Sequence, residues 1–401
     1  MMTSSAIRRG LIAAALVLGS ACDLKVTNPG PLQDEQLNVV TAMPALVNGM
    51  SGDLSVAVGN YIDRGALASG ELAAAGNFSA EQHFFAGIIG PDDANADWAN
   101  MQQARWSAED GLRRMSRVLG SGFETNTDTP RAYVYAGFAN RLLGENVCTG
   151  VIDGGPRLSD TVYFERAESL FTRAYTIATA LRKDSLATAA LAGRASVRAW
   201  QGKWTAAASD AALVPTAFVF NAIFSTNTTR ENNDLANQTI TRRETTVFGT
   251  SYANVFKDPR TPWDTIKTTA GKVQTGQDGR TNFFRQTKYT SLGSAVPLVK
   301  GTEMLLLRAE NALRGGDLTT MTALINQERA AYGLAAVAAP TSTAAAWPLL
   351  QTERGAVTWL EGRRLWDLRR WNVEGTNTFL SGRSKCIPIS LNELASNPNV
   401  R

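Results

Sequence analysis

Long runs of apolar residues stepping by three and four constrain this chain more than any other feature. One series is Met101, Ala104, Ala108, Leu112, Met115 and Leu119. A second is Phe164, Ala167, Phe171, Ala174, Ala178 and Leu181, and a third is Leu186, Ala190, Gly193, Val197 and Trp200. Such steps put one buried stripe on each of several helices, because a helical turn takes about 3.6 residues. Alanine and glycine on the stripes allow close approach, and the short link 182–185 makes the second and third helices an antiparallel pair. At 44% hydrophobic residues the chain has the apolar material for a sizeable core.

Gly202, Trp204, Ala207, Ala211 and Pro215 resemble the second half of a tetratricopeptide repeat, with its turn glycine, aromatic and small packing residues. A similar pattern returns far later, at Arg308-Ala309-Glu310, Gly315-Gly316-Asp317-Leu318 and Leu324-Ile325-Asn326. That gap rules out a regular tandem array. Residues 215–300 are rich in Thr, Asn, Arg and Gly, and 60–100 contain Gly65, Gly70, Gly76, Gly87, Gly90 and Pro91. Long irregular segments inside a helical protein tend to carry binding function. The expected fold is mainly α: a tetratricopeptide-like helical-hairpin scaffold at about 101–215 and 301–371. It presents loop-rich binding regions at about 60–100 and 215–300, and 372–401 forms a closing segment.

The N-terminus bears on compartment. Arg8 and Arg9 precede the apolar run Leu11 to Leu18, and Gly19, Ser20 and Ala21 lead into Cys22. The run suits a secretory signal over 1–21 and is short for a membrane span. Cys22 after small residues resembles a lipobox, whose cysteine is acylated after cleavage; an ordinary signal with an incidental cysteine is the alternative. Residues 22–35, with Pro29, Gly30 and Pro31, read as a tether. A net charge of +4 gives no footprint for nucleic acid. One histidine, His83, excludes mechanisms needing two within the chain, and three cysteines are too few for a four-thiolate zinc site, so no metal or cofactor is expected. With Cys22 acylated, Cys148 and Cys386 remain; an oxidising compartment favours a disulfide between them, against the alternative of two separately buried thiols.

The densest signal is ERGAVTWLEGRRLWDLRRW, Glu353 to Trp371. Arg354 and Glu361 lie two turns apart on nearly one helical line, and Asp367 sits between Arg364 and Arg370 at helical spacing. Together with Trp371 these residues read as a structural network that locks a helix end onto the scaffold. The same stretch, Glu361-Gly362-x-Arg364-x-x-Asp367-Leu368-x-Arg370-Trp371, resembles the C-terminal signature of the SusD/RagB family. Leu305 to Glu310, Ile325-Asn326 with Arg329, Pro388-Ile389-Ser390 with Glu393, and Asn397-Pro398-Asn399 follow the family's order, as do Cys22 and Asn28-Pro29-Gly30.

The resemblance implies an outer-membrane, lipid-anchored protein at the cell surface. It implies partnership with a TonB-dependent, SusC-like β-barrel, to which an oligosaccharide or other nutrient is handed. Aromatic side chains in the loop-rich regions suit sugar rings, whose C–H faces stack on them while polar neighbours satisfy hydroxyls. The candidates are Trp98 with Asn100, Trp263 beside Asp264, His83 with Phe84, and Tyr289; for each, local core or a capping role is the alternative. Catalytic residues are not expected, since no nucleophile motif, phosphate loop or metal cluster appears. A glycoside hydrolase using paired carboxylates and a tetratricopeptide scaffold that binds only protein are the competing classes.

Overall fold

The computed structural model describes residues 34–254 and 258–400. The signal segment, Cys22, nearly all of the tether and Phe256 lie outside the described residues. The chain divides into two compact units, 1–39 and 40–401. A single 3-10 turn, Asp34–Leu37, is described in the first; everything below concerns the second.

Seven helices come first: α1 (Met43–Ser69), α2 (Ser79–Ala86), α3 (Asn95–Leu119), α4 (Thr129–Asn146), α5 (Thr161–Ala180), α6 (Asp184–Trp200) and α7 (Trp204–Ala212). Helices α4 to α7 pack each on the next, and α1 packs on α3. The apolar stripes dictate this stacking. Phe171 of α5 sits between Gly137 of α4 and Gly193 of α6, where added Cβ atoms would lie 2.6 and 2.4 Å from its ring. Phe164 fills the same space against Gly144. An alanine at any of these positions would push the helices apart.

The region 60–100 is not loop-rich, contrary to the sequence reading. Residues 60–69 complete α1, and α2 and the start of α3 occupy much of the rest. The glycines obscured this because they serve packing: Gly59 faces the Phe224 ring, and Gly65 faces Tyr61 of its own helix. Burial of Met50, Leu54, Val58, Tyr61, Ile62 and Leu67 outweighs the poor helix propensity of Gly49, Gly52, Gly59 and Gly65. Only Gly70 and Gly87 act as punctuation, ending α1 and α2 in the left-handed conformation.

A second helical group follows: α8 (Gly301–Arg314), α9 (Leu318–Ala331), α10 (Thr343–Val357), α11 (Arg364–Val373) and α12 (Leu391–Ser396). Gly316, at φ 78°, turns the chain between α8 and α9, and Asp317 caps α9 by accepting from the Thr320 amide at 2.9 Å. Helix α8 packs on α7. The two tetratricopeptide-like pairs, remote in sequence, are therefore neighbours in space. Their junction is made by an antiparallel pairing of β2 (Val219–Ala222) with β6 (Val296–Lys300). Residues 223–295 form an excursion that leaves the stack and returns to the same place.

Within the excursion, β3 (Thr245–Thr246) pairs with β1 (Ala73–Ala74), and β4 (Trp263–Thr265) pairs with β5 (Phe284–Gln286), both antiparallel. Cys148 and Cys386 are disulfide-bonded, with Cα atoms 5.2 Å apart. The bond lies beside a parallel bridge in which the Cys148 amide donates to Ile387 O at 2.8 Å. No helix among the described residues is long and apolar enough to cross a membrane.

Candidate functional site

The arginine- and glutamate-rich motif sets the position of the excursion. Helix α10 ends at Val357 and α11 starts at Arg364, so Glu361 lies in the turn between them and not on one helical line with Arg354. The turn is sharp: Leu360 has φ 56° and Gly362 φ 68°. Asp367 accepts from Arg354 Nε at 2.6 Å and from Arg370 Nη2 at 3.0 Å, while Arg364 instead donates to Gln351 O at 2.9 Å. Burial alone would raise the Asp367 pKa, but the two guanidinium groups hold it below the usual carboxylate range. Trp371 Nε1 and Arg370 both donate to Glu310 of α8. Glu145, Glu303 and Arg363 complete the network, with Arg363 Nη2 2.9 Å from Glu145 and 3.1 Å from Glu303. Sequence spacing did not expose these partners, because they come from other elements.

Glu361 is the point where this network holds the excursion. Its Oε1 lies 2.7 Å from Lys288 Nζ and 2.6 Å from Lys300 Nζ. Lys288 follows β5 and Lys300 ends β6, so one carboxylate gathers the returning chain at two places. Burial pushes the Lys288 ammonium down to about 8 despite Glu361 beside it. Tyr289, a sequence candidate for ligand contact, belongs to the same anchor. It is buried, its hydroxyl donating to Leu360 O at 3.0 Å and its amide to Gln286 Oε1 at 2.9 Å. Arg260, just before β4, adds another tie through Glu328 at 3.0 Å and Glu353 at 2.5 Å.

What these anchors present is an aromatic platform on the β4–β5 hairpin. Opposed residues are Trp263 with Gln286, Asp264 with Arg285 and Thr265 with Phe284, so Trp263 and Phe284 share one face. Their rings stack 4.7 Å apart at 4°, and Phe248 meets Phe284 edge-on at 5.1 Å. All three rings are partly exposed. Backbone pairing fixes the platform: the Phe284 amide donates to Thr246 Oγ1 at 2.8 Å, and Phe284 O accepts from the Val247 amide at 2.9 Å. Asp264 and Arg285, paired at 2.6 Å, alternate to the opposite face of the hairpin and tie its two strands together there. Stacked, partly exposed rings held by backbone pairing offer a rigid apolar contact to a flat ligand.

Trp263 is therefore the sequence candidate that the structure places in such a setting. Phe84 is fully buried beneath the Arg64 guanidinium, and Trp98 is buried with its Nε1 3.4 Å from Glu393 Oε2. Both are core residues, as is Tyr289, and burial removes all three from ligand contact. Asp97, at 2.9 Å from Arg64, holds the same corner of the core. His83 is partly exposed, its Nδ1 2.9 Å from the Asp93 carboxylate, which also accepts from the Gly90 amide; this is a loop-fixing role. Asn100 lies half-buried on α3. The sequence reading missed Phe248. Its signal was a phenylalanine closing the β-branched run Thr245-Thr246-Val247 immediately before Gly249. Among the described residues no group of three or more His, Cys, Asp or Glu is arranged to hold a metal ion.

Comparison with known proteins gives a consistent picture. The model of the SusD family matches residues 237–399, which span most of the excursion and the arginine-rich motif. No curated protein matches the chain. Several solved structures share its fold over almost the whole length. A putative sugar binding protein from Bacteroides vulgatus aligns at 14% identity with a TM-score of 0.65, covering 91% of this chain and 98% of that one. A SusD/RagB family protein from Bacteroides thetaiotaomicron aligns at 13% identity with a TM-score of 0.64, covering 88% and 94%. A laminarin-binding SusD-like protein aligns at 14% identity with a TM-score of 0.62, covering 90% and 98%. Residues 237–399 thus match the SusD family, and the chain as a whole has the fold of SusD/RagB family structures.

Proposed function

We propose that this protein is a carbohydrate-binding subunit of a nutrient-uptake system, capturing a saccharide on the Trp263–Phe284–Phe248 platform. The stacked, partly exposed rings on a rigidly anchored hairpin carry the reading. Two structural neighbours whose names refer to sugar and laminarin support the ligand class. The protein holds its ligand without chemistry and passes it to a SusC-like TonB-dependent β-barrel at the outer membrane, to which it is tethered by lipid on Cys22.

A panel of oligosaccharides incubated with the protein tests this reading. Saturable binding with no change in the glycan by mass spectrometry is expected. Cleavage products would place the protein among hydrolases, and absence of binding across the panel would contradict the ligand class. Mass spectrometry of membrane-extracted protein should find an acylated N-terminal Cys22; a mature terminus elsewhere would remove the anchor.

A further inference from the structure

Trp106 lies on α3 but off its apolar stripe, between Ala104 and Ala108, and half of it is exposed (50%). Half of a large, rigid indole is therefore available for contact at the surface. It borders a surface groove of about 340 Å³, whose rim also includes Gln102, Gln103, Arg105, Asp153 and Glu393. That volume falls within the range of small-molecule sites, about 300–1,000 Å³.

The rim is held from behind. Arg105 is buried and donates to Asp153 Oδ1 at 2.7 Å, to Glu109 Oε2 at 3.1 Å and to Gln102 Oε1 at 3.1 Å. Gln102 in turn donates to Tyr163 Oη at 2.8 Å and to Val151 O at 3.1 Å. Glu393 of α12 accepts from Trp98 Nε1 at 3.4 Å and from Asn397 Nδ2 at 2.8 Å. Trp98, misplaced by sequence reasoning as a ligand contact, thus supports this wall from the core. Asp153 is charge-paired with Arg105, whereas Glu393 takes its hydrogen bonds from the neutral Trp98 indole and Asn397 amide. The groove offers an indole face, an amide at Gln103 and a carboxylate at Asp153 fixed by a buried guanidinium. Those groups suit a neutral polyhydroxylated ring.

We infer that the Trp106 groove is a second saccharide-binding site, sharing no residue with the β4–β5 platform. The inference rests on the reading that the chain binds saccharides and adds a separate point of contact for one. Two such contacts would hold a longer or branched glycan more tightly than either alone.

The test uses the mature chain labelled with 5-fluorotryptophan, with the Trp106 and Trp263 resonances assigned through the Trp106→Phe and Trp263→Phe variants. Maltohexaose, laminarihexaose, cellohexaose and xylohexaose are titrated in turn. The expected result is a saturable shift of the Trp106 resonance with at least one sugar. Trp106→Ala should then weaken that sugar about tenfold, equivalent to about 1.4 kcal/mol, with an unchanged melting temperature. A Trp106 resonance that stays still while Trp263 shifts would overturn the second site and leave the proposed function standing. Movement of Trp106 alone would support the groove and overturn the platform. Silence of both across the panel would overturn both readings.

Discussion

Two ammonium groups converge on the carboxylate of Glu361, and this is where the chain's charge pattern matters most. Lys300 is buried and Lys288 largely so, and a carboxamide would leave both without this counter-charge. Glu361→Gln is expected to cost about 3–5 kcal/mol, since breaking a buried pair strands the remaining charge. Urea unfolding reads this directly, and a cost under about 1 kcal/mol would show that the ion pairs do not anchor the excursion. The importance of Glu361, Asp367 and the arginines was legible in the sequence from their density near Trp366 and Trp371. Their partners were not. Periodicity reports neighbours along one helix, whereas Glu145, Glu303, Glu310 and the two lysines arrive from distant positions. The same limitation misplaced Phe84, Trp98 and Tyr289: an aromatic in a Gly- or Asn-rich stretch reads alike whether it faces water or core.

At the scale of elements, α1 shows how tertiary burial overrides local preference. Its glycines suggested an irregular segment, yet they make room for Phe224 and Tyr61 within a 27-residue helix. The adjoining helix α2 carries a testable consequence of that packing. Glu81 is buried beside Glu244, and burial first, then the neighbouring carboxylate, pushes its pKa from 4.5 up to about 7. Between those values the folded chain keeps a proton that the unfolded chain has released. The stabilisation linked to that proton is complete below pH 4.5 and is lost as pH rises through about 7. Glu81→Gln, which cannot ionise, should therefore gain stability relative to the natural chain between pH 5 and pH 8. Denaturation midpoints of both proteins at the two pH values check it; a difference that does not grow with pH would mean Glu81 ionises freely in the folded state.

The whole second unit is a helical stack interrupted once, by an excursion that exits at β2 and returns at β6. The two tetratricopeptide-like halves were visible in the sequence through Gly202 and Gly316. Their adjacency was not, because a strand pairing across 223–295 leaves only a short β-branched and apolar signal. Cys148–Cys386 closes the other long-range loop, tying the final segment to the end of α4. Replacing both cysteines by alanine should cost about 2–5 kcal/mol, as removal of a native disulfide commonly does. Thiol titration of the denatured, unreduced chain should find neither sulfur free, and two free thiols would contradict the bond.

The Glu361 and Arg260 anchors bear on the proposed role of the excursion, to hold the Trp263–Phe284–Phe248 platform rigid for a sugar. Isothermal titration of the best-binding oligosaccharide into the natural chain and into Trp263→Ala tests it most directly. The account predicts saturable binding that weakens by about 1–3 kcal/mol on losing the indole, the scale of burying one large side chain, while the melting temperature holds. Equal affinity for the two proteins would contradict it.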